Sequence, residues 1–229
     1  MKVKNLIYLS HPYTSDTPTY GDRDQMKITS NSSIEMGDTA NSSRWVFTNN
    51  HIGTHVDVPF HFDLEGRRIL DFSPEEWIFQ NVSLADIPCD KARLIDEKDL
   101  INFLIDPNIE LLLIRTGYEK YRSKSKYWED SPGLSPTLPD YLRRHFPRLR
   151  CIGFDFISIT SWQHRDIGRE SHLAFLKPPK GDKPILAIED MSLVMIDGAL
   201  DWIIASPLLV ADGNGAPVTI FANMREKPL

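Results

Sequence analysis

The sequence predicts one mixed α/β domain spanning residues 1–229, on three observations. The chain has 229 residues, enough to bury a full core without disulfides or a structural metal. Through its middle, short continuous apolar runs alternate with helix-spaced segments. Its C-terminal part turns β-rich around a strong turn signal, Asp212-Gly213-Asn214-Gly215.

The elements follow in order. Asn5 to Leu9 reads as a short apolar strand, and most of the Ser-, Thr-, Asn- and Asp-rich first 45 residues read as loop. Arg44 to Phe62 is β-like. Ser73-Pro74-Glu75-Glu76 is a helix start, with a capping serine, a proline at the first helical position and a glutamate able to close a capping box. Lys91 to Ile95 predicts a strand, and Asp96 to Ile105 a helix with Leu100, Phe103 and Leu104 at helical spacing. Glu110 to Thr116 and Leu149 to Ile159 are apolar runs suited to strands buried on both faces. Tyr118 to Pro139 is a polar segment before a helix at Asp140 to Phe146. A helix at Gly168 to Leu176, a loop at Lys177 to Lys183 and a strand at Pro184 to Glu189 come next. Strands at Ser206 to Ala211 and Pro217 to Ala222 flank the final turn.

Composition excludes several function classes. With 41% hydrophobic and 25% charged residues, the chain reads as an ordinary soluble globule. Its 26 basic and 32 acidic residues leave a net charge of −6, which argues against coating nucleic acid or an anionic membrane. No apolar run approaches the roughly 20 residues that span a bilayer. Met1 to Ser10 is too short in apolar residues for a signal peptide. Cys89 and Cys151 sit far apart in no paired motif, so a reduced, cytoplasmic setting is expected. The basic run Lys120 to Lys126 reads as a solvated loop, and Gly213-Asn214-Gly215 as a turn, not a dinucleotide loop.

The informative stretch is His51-Ile-Gly-Thr-His55-Val-Asp57-Val-Pro-Phe-His61, which holds three of the seven histidines. His51, His55, Asp57 and His61 occupy odd positions and would share one face of an extended chain. Ile52, Thr54, Val56, Val58 and Phe60 would bury on the other. Residues four apart in a straight strand lie about 13 Å apart. His51 and His55 can therefore share an ion only if the chain bends, and Gly53 is placed to bend it. Pro59 ends regular pairing before His61. Three histidines and a carboxylate in phase point to a metal site, with Zn²⁺, Mn²⁺ or Fe²⁺ favoured over Ca²⁺ or Mg²⁺.

At these residues the sequence resembles the cyclase family of metal-dependent hydrolases, which includes bacterial kynurenine formamidases. The signature His-x-Gly-Thr-His-x-Asp-x-Pro-x-His is met in full from His51 to His61. Leu9-Ser10, Arg115-Thr116-Gly117-Tyr118, Pro132-Gly133-Leu134-Ser135, Gly153 to Ser158, Glu170-Ser171-His172 and Ile188-Glu189 are similar to family segments in the same order. The resemblance implies a swivelling β/β/α fold, usually a homodimer or homotetramer, and a binuclear site. His51, His55 and Asp57 would hold the first ion. Asp57 would bridge to a second, also bound by His172 and Glu189, leaving His61 for proton transfer. The loop Lys177 to Lys183 looks inserted between His172 and Glu189, and Asp190 stands beside Glu189 as the other carboxylate on offer. With only the first trio binding, the site would hold one ion. Thr19-Tyr20-Gly21-Asp22 is similar to a segment that lines the substrate pocket, which makes Tyr20 a candidate substrate contact.

One or two divalent ions per chain, Zn²⁺ first and Mn²⁺ second, would acidify a water and polarise a carbonyl. His61 would take the water proton and return it to a leaving nitrogen. The expected activity is hydrolysis of an amide C–N bond, in a formamide or a cyclic amide, of a small substrate, with an aromatic one such as N-formylkynurenine as an example, and with no nucleic-acid or membrane partner. A catalytically inactive metal- or small-molecule-binding protein of the same fold is the alternative. A purely structural site is disfavoured, because such zinc sites usually use cysteine.

Overall fold

The computed structural model describes residues 5–225. Of the N-terminal stretch Met1 to Ser10, the first four residues lie outside the described residues. A short strand β1 (Leu6–Tyr8) comes first, then a hairpin of β2 (Lys27–Ser32) and β3 (Ser42–Val46). There follow β4 (His55–Asp57), β5 (Ile78–Phe79), β6 (Val82–Asp86), β7 (Leu94–Ile95) and the one-turn helix α1 (Glu97–Leu100). Next are β8 (Leu111–Arg115), α2 (Lys126–Glu129), β9 (Gly133–Leu134), α3 (Leu138–His145), β10 (Cys151–Phe154) and α4 (Arg165–Leu176). The chain closes with β11 (Leu186–Glu189), β12 (Leu200–Pro207) and β13 (Gly215–Met224).

Nine strands form one sheet in the order β5-β12-β13-β4-β11-β10-β8-β6, with β1 added on β13. β6, β8, β10 and β11 run parallel, whereas β4 joins β11 and β13 antiparallel. The two ends of the sheet, β5 and β6, are separated only by Gln80 and Asn81, and β6 lies against β12. The sheet therefore curls almost to closure, and the chain is a mixed α/β domain.

Successive strand residues face opposite sides. Leu111 and Leu113 enter the core inside the curl, with Val56, Val58 and Ile188. Leu112 and Ile114 enter the outer core, with Leu142 of α3 and Phe175 of α4. Burial on both faces explains why these strands read as continuous apolar runs. It also places the site. Because Val56 and Val58 point into the curl, His55 and Asp57 point out, toward the layer of α4.

Several elements differ from the sequence expectation. The β2–β3 hairpin falls where a loop was expected. Its Ser, Thr and Asn side chains are exposed, so no apolar alternation marks it. β6 was not anticipated. The capping box at Ser73 forms, with the Ser73 N–H donating to Glu76 Oε2 at 2.9 Å, but it opens only a 3-10 turn, Pro74–Trp77. The expected helix Asp96 to Ile105 stops after Leu100, and Leu104 is fully exposed. Pro107 disfavours helical backbone just beyond. The run Leu149 to Ile159 is a strand only over Cys151–Phe154, and Asp155 turns aside to accept bonds from the Thr116 and Gly117 N–H groups. The strand expected at Ser206 to Ala211 lies instead at Leu200–Pro207, while Leu208, Leu209 and Val210 are exposed in the connection.

Gly53 makes the anticipated bend, at φ +59°. An added Cβ would meet the Tyr13 ring at 2.6 Å. Gly53→Ala is expected to lower unfolding free energy by about 1–3 kcal/mol, the cost of a strained left-handed residue plus the clash. Urea unfolding checks this, and an unchanged midpoint would refute it.

Candidate metal centre

Two strands and one helix build the centre. In the antiparallel β4–β11 ladder, Glu189 stands directly opposite His55, so their side chains share a face. His55 Nε2 lies 3.3 Å from Glu189 Oε2 and 3.5 Å from Asp57 Oδ1. His51 arrives from the Gly53 bend and places Nδ1 2.7 Å from Asp57 Oδ1. His172, on the buried side of α4, places Nε2 3.8 Å from Asp57 Oδ2 and 3.9 Å from Glu189 Oε1. Beyond Val58 the chain leaves the sheet at Pro59 and enters a 3-10 turn ending at His61. The His61 ring stacks on His51 with centroids 4.0 Å apart. The six side chains expected to bind metal or move a proton, His51, His55, Asp57, His61, His172 and Glu189, thus converge. Only His55 and Asp57 do so from a shared strand, since His51 and His61 reach the face through a bend and a turn.

The surrounding hydrogen bonds orient these donors. His55 Nδ1 donates to the Gly53 carbonyl at 2.9 Å, and His172 Nδ1 to the Gly168 carbonyl at 2.9 Å. Each bond commits Nδ1 as the donor and aims Nε2 at the centre, where it can bind an ion once deprotonated. Glu189 Oε1 accepts from the Ile159 N–H at 2.8 Å and from Ser158 Oγ at 3.3 Å. His51 Nε2 lies 3.0 Å from Asn214 Oδ1.

The electrostatics of the centre favours a cation. Burial disfavours a charged His55, yet Asp57 and Glu189 push its pKa well above the usual value. Burial likewise disfavours ionised Asp57, yet His51 and His55 hold its carboxyl well below the usual range. Imidazole Nε2 atoms and buried carboxylates crowd together, and the carboxylates call for positive charge, which a proton on His55 or a bound cation can supply. A thiolate-free set of imidazoles and carboxylates fits a divalent ion. Two donor groups have all atoms within 4.8 Å of one another, His51 with Asp57 and His61, and His55 with Asp57 and Glu189. Asp57 belongs to both, as a bridge would. The grouping places His61 within ligand reach and His172 slightly farther out, which differs from the division implied by resemblance. His61 itself is pushed down to about 4, by burial first and then by the neighbouring histidines, against Asp57.

Asp190 does not face the centre. Its carboxylate takes the Arg122 guanidinium and the Tyr127 hydroxyl on the other side of the chain. Tyr20 lines the same cavity of about 220 Å³ as the histidines. Its ring packs on Trp162 at 5.2 Å, and its hydroxyl is buried with no protein partner. Burial pushes that hydroxyl up to about 12. Arg23 and Thr19 also line the cavity. The sequence reading missed Arg23 and Trp162, which carry no motif, and read Asn214 only as part of a turn, although its Oδ1 meets His51 Nε2.

The Cyclase family model matches residues 7–161. The chain belongs to the cyclase family. A relative, the kynurenine formamidase of Bacillus cereus, is 26% identical over 221 residues, covering 95% of this chain and 97% of its own. Isatin hydrolase A from Labrenzia aggregata, solved with benzyl benzoate, superposes with a TM-score of 0.79 at 18% identity, over 97% of this chain and 94% of its own. A protein from Bacillus stearothermophilus described as a predicted metal-dependent hydrolase superposes with a TM-score of 0.73 at 18% identity, over 95% and 97%. These superpositions establish the cyclase fold along nearly the whole chain. Among the described residues, no helix is long and apolar enough to cross a membrane.

Proposed function

We propose that this cyclase-family chain is a metal-dependent hydrolase of an amide C–N bond in a small molecule. The observation that carries the reading is the convergence of His51, His55 and His172 on the buried carboxylates of Asp57 and Glu189. Kynurenine formamidase relatives and isatin hydrolase neighbours support the bond type, since a formamide and a cyclic amide share that C–N bond. We assign His51, His55 and Asp57 to one ion, and Asp57, His172 and Glu189 to a second, with Zn²⁺ ahead of Mn²⁺.

A divalent ion held by these residues would supply an acidified water and a polarised carbonyl. The chain does the rest. His61, neutral at neutral pH, accepts the water proton and delivers it to the leaving nitrogen. The Ile159 N–H and Ser158 hydroxyl hold Glu189 in place. Tyr20, braced by Trp162, offers an aromatic wall, with its hydroxyl free for a substrate polar group. A cavity of about 220 Å³ suits a small substrate. A homodimer or homotetramer is supported by exposed Trp45, Ile34 and Met36 on and beside the β2–β3 hairpin. A cytoplasmic setting suits the unpaired, buried Cys89 and Cys151.

Metal content per chain, measured by mass spectrometry on reconstituted, desalted protein, tests the centre first. The expected value is about two ions, as in two-metal hydrolases. The loaded protein should then turn over members of a panel of N-formyl arylamines and cyclic amides. Full loading without turnover of any amide would replace this reading with a binding role.

A further inference from the structure

Asp190 follows Glu189 directly and adopts a left-handed backbone, φ +53°. That conformation is uncommon for a non-glycine residue and persists where surroundings over-determine it. Here they do. Asp190 is 1% exposed. Arg122 Nε donates to Oδ1 at 2.9 Å and Oδ2 at 3.1 Å, and Arg122 Nη2 donates to Oδ2 at 2.8 Å. The Tyr127 hydroxyl donates to Oδ1 at 2.5 Å. The Asp190 N–H donates to the Phe156 carbonyl at 3.0 Å.

The Asp190 carbonyl completes the link. It accepts the Thr54 hydroxyl at 2.5 Å. Thr54 is fully buried and precedes His55, whose partner across the ladder is Glu189. Thr54 Oγ1 also accepts from the His11 N–H at 2.9 Å, and the Thr54 carbonyl accepts from the Tyr13 hydroxyl and from the Val218 N–H at 3.0 Å. The residue after Glu189 and the residue before His55 are therefore tied together behind the centre. In front of it, the Glu189 carboxylate lies 3.3 Å from the His55 imidazole. Ligand spacing is held from behind by a buried ion pair that faces away from the ligands.

We propose that Arg122, Asp190 and Tyr127 are positioning residues that set the affinity of the centre for the ion held by Glu189. The proposal rests on the metal reading above. Asp190→Asn keeps the shape and tolerates the left-handed turn, but loses the charge that holds Arg122. Arg122→Gln removes the guanidinium. Tyr127→Phe deletes one hydroxyl and serves where the charge variants fail to fold. Asp99→Asn cuts the similarly bidentate Arg93–Asp99 pair in another part of the fold, and so reports a merely structural loss.

The experiment titrates metal-free full-length protein with Zn²⁺ against a chromophoric chelator, and records the melting temperature of the same metal-free samples. Asp190→Asn and Arg122→Gln should weaken zinc binding on the order of tenfold, the scale of partners that orient ligands. Tyr127→Phe should weaken it less. Asp99→Asn should lower the melting temperature and leave zinc affinity at the wild-type value. Wild-type affinity in the Asp190, Arg122 and Tyr127 variants would overturn the proposal. So would an affinity loss that Asp99→Asn reproduces at equal loss of melting temperature. A wild-type chain that binds no zinc would overturn the metal reading itself, and the proposal with it.

Discussion

Asp57→Ala is expected to strip ions from the centre and to cut kcat/KM by more than about 1000-fold, beyond the 10–100-fold typical of outer partners. The carboxylate is 1% exposed and stands within 4 Å of His51, His55 and His172 at once. No other side chain among the described residues belongs to both possible donor groups. Its removal also takes the charge that most directly favours a cation in a buried site, leaving imidazoles facing one another around Glu189. Metal content and turnover are measured on the same sample. An alanine variant that keeps its ions would show that His51 and His55 suffice without a bridge, and would refute the assigned ligand set.

Asp57→Asn separates charge from shape. The amide fills the same volume and keeps one acceptor oxygen. Retained fold with lost metal in this variant would locate the alanine effect in charge, not in a cavity. A neutral amide cannot bridge two cations as an anion does, so binding of the second ion should suffer most.

How much of this was legible in the sequence depended on distance along the chain. His51, His55, Asp57 and His61 fall in one short segment, and the residues that shape it, Gly53 and Pro59, have strong backbone preferences of their own. The bend and the strand end therefore appeared where expected. The choice between Glu189 and Asp190 was not legible. It depends on the β4–β11 register, in which Glu189 faces His55, and on Arg122, which claims Asp190 from a loop 68 residues away. His172 was reachable only through resemblance, because helical spacing alone does not say which sheet face α4 covers. In the C-terminal hairpin, the apolar run Leu208-Leu209-Val210 drew the expected strand toward itself. The observed strand starts earlier because Leu200, Trp202, Ile203 and Ala205 bury, a set legible only once β5 and β13 flank it.

His61→Ala should separate binding from chemistry. The variant is expected to keep its metal and to lose kcat by about 10²–10⁴-fold, the usual contribution of a positioned acid–base group. The ring stacks on His51 and approaches His172 at 6.0 Å, so it lies beside the ligands as well as within their reach. Burial and the neighbouring histidines push its pKa down to about 4 from 6.5. A nearby cation acts in the same direction, since it opposes a second positive charge. His61 therefore stays neutral, and able to accept a proton, well below neutral pH. The acid limb of kcat/KM attributable to His61 should fall below 6.5, toward 4, and should vanish in the alanine variant. Equal metal loss in His61→Ala and Asp57→Ala would instead make His61 a ligand, as its place beside His51 and Asp57 allows. The proton would then have to travel through another group facing the cavity. Within the cavity lining, the Tyr20 hydroxyl is a poor substitute, because burial raises its pKa and holds it protonated. Metal retention in His61→Ala is therefore the measurement on which the division between binding and proton transfer turns.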